Sequence, residues 1–175
     1  EVAYLLGCSY LETYNYSKAI APLGRARALN NKDYRVYDAL AQCYRNLKET
    51  STLTSILTDW IAIDPKRYDI KIELGSLMLD AKKISEAIAM LTEASRFIPS
   101  EPKPYLLLAQ AYEIQGKDSL RFKHLSTALQ FAPTNWETRY QLSRYYLSIQ
   151  QLKEAEEHLI ATIRLNPAHG ISHFE

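Results

Sequence analysis

The chain has 175 residues, 47% hydrophobic and 23% charged, with 21 Lys and Arg set against 20 Asp and Glu. A net charge of +1 excludes a surface built to neutralise a phosphate backbone, and the high apolar fraction excludes a disordered chain. Two cysteines, Cys8 and Cys43, cannot build a disulfide framework or a four-ligand zinc site, and no run reaches the ~18 apolar residues of a membrane span.

Residues 1–33 open at Glu1 without a Met or a signal-like stretch and read as a piece of something longer. Leu6, Gly7 and Tyr10 predict a first helix there; Ala19, Leu23 and Ala26, spaced four and seven, predict a second with one buried face. Ser17 is expected to cap that second helix, and Pro22 to bend it. Residues 34–67 repeat the pattern with Leu40, Ala41, Tyr44 and Leu57, and close on Pro65. Residues 68–101 carry Leu74, Gly75, Met78, Ala87, Leu91 and Ala94, with Ser85 as a cap and Pro99 at the close. Residues 102–135 carry Leu108, Ala109, Tyr112, Leu125 and Ala128 before Pro133. Residues 136–169 carry Leu142, Ser143, Tyr146, Leu159 and Thr162 before Pro167, and Thr134 with Glu137 reads as a capping box. Residues 170–175 start a sixth unit or a capping helix.

Every column advances by 34 residues with no insertion. Each proline ends the helix before it and biases its predecessor toward extended backbone. No stretch alternates polar and apolar for long, so the expectation is all helix, in antiparallel pairs. A lone pair cannot bury its apolar face, so stability must come from stacked neighbours. The small columns allow close approach, and Gly7 with Ala19, or Gly75 with Ala87, are expected to mark contacts within a unit.

This 34-residue pattern of Leu, small and Tyr, then Ala, Leu, Ala and a closing Pro resembles the tetratricopeptide repeat family. The resemblance covers nearly the whole chain. It implies an all-α fold, an α-solenoid of about five tandem helix-turn-helix repeats forming a right-handed superhelix with a concave groove. There are departures: Trp60, Leu53 and Arg121 replace small residues, and Asn31 replaces the closing proline.

First helices of such repeats line the inner face. The positions turned off the buried stripe are Tyr4, Cys8 and Leu11; Asp38, Gln42 and Arg45; Ile72, Ser76 and Leu79; Leu106, Gln110 and Glu113; and Tyr140, Arg144 and Leu147. Apolar anchors among single charges and amides suit an extended peptide or an amphipathic helix, with Arg144 beside Tyr140 as the candidate hot spot. The alternative for each leucine is that it packs against a neighbouring unit and never meets solvent. One use of the groove in the family is a clamp of Lys and Asn one turn apart on a heat-shock chaperone tail. The equivalent pairs here run from Tyr4/Cys8 to Tyr140/Arg144 without a Lys/Asn pair, which disfavours that partner.

Catalysis finds little footing, and the chain is read as no enzyme. His124 and His158 stand 34 apart and are expected as outward echoes of the repeat. His169 and His173 have the one-turn spacing of a metal pair but lack a third ligand. Apolar neighbours are expected to keep Cys8 inert. No metal site or cofactor is expected. The leading function is a scaffold or adaptor holding a partner's peptide or helix, as part of a multi-protein assembly. The alternative is a regulatory or substrate-docking module of a longer enzyme. Nucleic acid is disfavoured by the unbroken spacing and the balanced charge. Self-association through an uncapped end is a further option, and the two cysteines without a signal lean to the cytoplasm.

Overall fold

The computed structural model describes residues 1–168, so the sixth-unit expectation for 170–175 and the His169/His173 pair lie outside the described residues. Those residues form an all-α helical-repeat fold. The helices are α1 (Val2–Glu12), α2 (Tyr16–Leu29), α3 (Tyr34–Asn46), α4 (Thr50–Ile63), α5 (Tyr68–Asp80), α6 (Ile84–Phe97), α7 (Pro102–Ile114), α8 (Asp118–Phe131), α9 (Trp136–Ser148) and α10 (Leu152–Leu165). They group into two compact units, Glu1–Leu77 and a second beginning at Met78, divided within α5.

The turn from first to second helix is the same each time and has no proline. Tyr14, Lys48, Lys82, Gly116 and Gln150 take left-handed backbone, with φ of 56°, 58°, 60°, 66° and 61°. The next amide donates back to the last turn of the first helix: Asn15 to Tyr10 at 2.8 Å, Glu49 to Tyr44 at 3.0 Å, Lys83 to Met78 at 2.8 Å, Lys117 to Tyr112 at 2.9 Å and Gln151 to Tyr146 at 2.9 Å. This closes a helix end in the manner for which glycine is favoured, yet glycine occupies one position of the five.

That turn fixes where second helices begin, and it corrects the cap assignments. Asn15 and Lys83 stand at the caps of α2 and α6 without a side-chain capping bond to the helix, while Ser17 and Ser85 fall one residue inside the first turn. At α9 the cap is Asn135, whose side chain accepts from the Thr138 amide at 2.7 Å, so Thr134 is one residue too early. The far ends agree with the prolines: α4, α6, α8 and α10 each stop two residues before Pro65, Pro99, Pro133 and Pro167. α2 stops at the same place without one, where Asn30 turns its side chain to accept from the Lys32 amide at 3.2 Å. α2 also continues through the buried Pro22 to Leu29.

In the first unit α1 packs on α2 and α3, α2 on α3, and α3 on α4. Its core is Leu23, Leu40, Leu57 and Leu74 with Val36 and Trp60. Gly7 meets Leu23 of α2: a Cβ at Gly7 would lie 2.5 Å from the Leu23 side chain. Leu6 is 48% exposed where its column mates are buried, because α2 and α3 alone pack against α1. Trp60 is fully buried at a position the repeat keeps small. The Arg67 guanidinium lies 4.3 Å over its ring and is held there by Asp69 at 2.7 Å.

The second unit packs α6 on α7, α7 on α8 and α9, α8 on α9, and α9 on α10. Tyr105, Leu106, Ala109, Leu125, Ala128 and Leu142 form its centre. Arg121, also at a small position, is buried and pairs with Glu113 at 3.1 Å, its guanidinium 5.6 Å over the Tyr145 ring. His124 and His158 are not outward. Both are half-buried and stack on tyrosines of the preceding first helix, His124 on Tyr112 at 5.3 Å and His158 on Tyr146 at 5.5 Å. The one-turn stripe of a second helix turns that position toward the first helix of its own unit.

Candidate partner-binding faces

In the first unit, Tyr4, Cys8 and Leu11 lie half-buried on α1. Arg35 places its guanidinium 5.1 Å over the Tyr4 ring, and the hydrogen bond with Cys8, with burial, pushes the Tyr4 hydroxyl up to about 12. Behind this face, burial raises the Cys43 thiol to about 11, which keeps it protonated and unreactive. Asp38, Gln42 and Arg45 are exposed on α3. Arg45 is already engaged: its Nε and Nη2 donate to the two carboxylate oxygens of Glu73 at 2.5 and 2.8 Å. A cleft of about 410 Å³ lies beside this pair, lined by Tyr44, Arg45, Lys48, Leu53, Glu73 and Leu77. Ile72 and Ser76 are half-buried on α5.

In the second unit, Leu79 and Leu106 are buried, 4% and 7% exposed. They correct the expectation of open apolar anchors at these two positions; for Leu106 the cause is that α7 packs against α6, α8 and α9. Leu106 still floors a cleft of about 360 Å³ between α7 and α9. The α7 wall brings Lys103, Leu107, Gln110, Glu113 and Ile114, and the α9 wall brings Glu137, Gln141 and Arg144. Tyr140 and Leu147 fall outside it.

The offset has a geometric cause. Neighbouring first helices face the space between them with opposite sides. The α7 wall therefore uses 106, 110 and 113, while the α9 wall keeps the expected 144 and adds 137 and 141, three residues before and one after the expected 140. Extending one column through all repeats misses Gln141, Glu137 and Lys103. Applying the one-turn spacing to each wall separately finds them.

Charges inside this cleft are partly matched. The Glu113 carboxylate receives Arg121 at 3.1 Å from below and Arg144 at 3.7 Å across the cleft. Arg144 also donates to the Gln141 side-chain oxygen at 3.5 Å, and its own side chain is half exposed. Among the described residues no group of three His, Cys, Asp or Glu could hold a metal, and no helix is long and apolar enough to cross a membrane.

The profile of the tetratricopeptide repeat family matches residues 137–169. Residues 137–169 are a tetratricopeptide repeat, and the chain around them has the same helical-repeat fold. Over 123 residues, 70% of the chain, it is 28% identical to the BBSome complex member BBS4 of Bos taurus, and it spans 23% of that protein's length. Among solved structures it is similar to MamA from Desulfovibrio magneticus RS-1, with a TM-score of 0.83 at 16% identity over 95% of this chain and 94% of that one. It is similar also to YrrB, a tetratricopeptide-repeat protein with an unusual peptide-binding site, with a TM-score of 0.77 at 13% identity over 95% and 86%. The tetratricopeptide-repeat fold is that of a protein-interaction module, and proteins or peptides are the partners it suits.

Proposed function

We propose that this chain is a scaffold that holds an extended peptide or amphipathic helix of a partner protein against its first helices, within a multi-protein assembly. The α7–α9 cleft is the working surface. The observation that carries the reading is the convergence there of an apolar floor, two amides and a half-exposed arginine on two rigid helices. Gln110 and Gln141 can each donate and accept, which suits the alternating N–H and C=O groups of an extended backbone. Ile114, 55% exposed, supplies apolar area beside the buried floor of Leu106 and Leu107, and Arg144 supplies a charge-assisted bond to a carboxylate or carbonyl. The relatives favour the same direction, since BBS4 is a complex member and YrrB has a peptide-binding site.

The test is a displayed peptide library selected on the full chain, with affinities then measured on Gln141→Ala and Arg144→Ala. Loss of a buried hydrogen-bond partner costs about 1–3 kcal/mol, so selected peptides should bind each variant roughly tenfold or more weakly. Equal affinity for wild type and both variants would place the working surface elsewhere.

A further inference from the structure

The two imidazoles occupy one repeat position, whose counterparts are Pro22, Ile56 and Met90. In the last two repeats it couples each second helix to its first helix by ring stacking: Tyr112 with His124 at an interplanar angle of 10°, and Tyr146 with His158 at 16°. Tyr105 of α7 closes the other side of His124 at 6.3 Å. We propose that these stacks are an acid-sensitive fastening: protonation of His124 and His158 loosens α8 from α7 and α10 from α9.

The surroundings of both rings oppose a positive charge. His158 Nδ1 is buried with no partner, so an imidazolium there carries a donor that nothing accepts. Arg139 of α9 adds repulsion to His158, which Glu157 on its own helix offsets in smaller part. Around His124, α7 offers the neutral phenols of Tyr105 and Tyr112, while the α7 carboxylate Glu113 is held by Arg121. α9 sends Tyr145 and Tyr146 to Phe122, and Lys123 on α8 repels. Burial first and these cations second hold both imidazoles below the ordinary histidine range. A charged ring gains some attraction to a phenol face, but that gain is smaller than the loss of hydration without an acceptor.

The direction follows from the depressed values. The folded unit prefers the neutral rings, so their contribution is fully present above the ordinary histidine value of about 6.5 and is lost as pH falls from there through their lower folded values. Asp33 and Asp69 are held below the usual carboxylate range by Arg35 and Arg67 and stay ionised across that window. The first unit carries no histidine, since the four lie at 124, 158, 169 and 173.

Urea unfolding of the full chain at about pH 7.5 and about pH 5, either side of the ordinary value, tests this on wild type and on His124→Met with His158→Met. Methionine fills the same position at Met90, so the repeat accommodates it. The wild-type midpoint should fall clearly on acidification and the variant's should not. An equal fall in both, or no fall in wild type, overturns the proposal. If the variant fails to fold, assigned imidazole resonances of the wild type decide: midpoints for His124 and His158 below the ordinary value support it, and midpoints at or above that value overturn it.

Discussion

Trp60 in the first unit and Arg121 in the second are oversized at positions the repeat keeps small, and the two solutions differ in chemistry. The first unit buries Trp60 completely and covers it with the Arg67 guanidinium; the second buries Arg121 and neutralises it with Glu113 and the face of Tyr145. In one case the apolar body is inside and the cation half-exposed; in the other the cation itself is inside. A small column is therefore not a fixed requirement of the repeat. It accepts a large side chain when a neighbouring helix or turn supplies the matching partner, and the partner decides what the site costs to lose.

The largest expected effect is at Trp60. Trp60→Ala should lower stability by about 3–5 kcal/mol in urea unfolding, the cost of emptying a fully buried indole site. A loss below about 1 kcal/mol would mean that the first unit does not depend on it. The ion pairs sharpen the contrast next. Glu113→Gln strands a buried guanidinium and should cost about 3 kcal/mol. Glu73→Gln releases the exposed Arg45 and should cost at most about 1 kcal/mol. Equal losses would show that burial does not separate the two pairs. The smallest effect concerns the left-handed turns shared by both units. Gln150→Gly should raise stability by a few tenths to about 1 kcal/mol, and Gly116→Ala should lower it by about as much. A destabilising Gln150→Gly would contradict the turn geometry.

Most of the architecture was legible in the residues, because a period of 34 constrains every copy at once. Leu40, Leu74, Leu108 and Leu142 are buried, and the helices stop where the prolines require. The turns were less legible. Their backbone is imposed by the packing of two antiparallel helices, so Tyr14, Lys48, Lys82 and Gln150 carry no local signal for it. The caps at Ser17 and Ser85 were misplaced by two residues for the same reason.

The candidate site was legible along much of the α7 wall but at one residue, Arg144, of the α9 wall. Gln110, Glu113 and Arg144 line the α7–α9 cleft, but Gln141 sits one column away, because a column marks equivalent positions and not facing ones. The ring stacks were hidden as well, since a histidine repeated at 34 looks like surface variation until its tyrosine partner twelve residues earlier is placed beside it.

The most direct test of the proposed role is backbone hydrogen exchange on the full chain, with and without a peptide selected on it. The account predicts new protection concentrated in α7 and α9, at residues 102–114 and 136–148. Protection confined to the second helices α6, α8 and α10, with α7 and α9 unchanged, would contradict it.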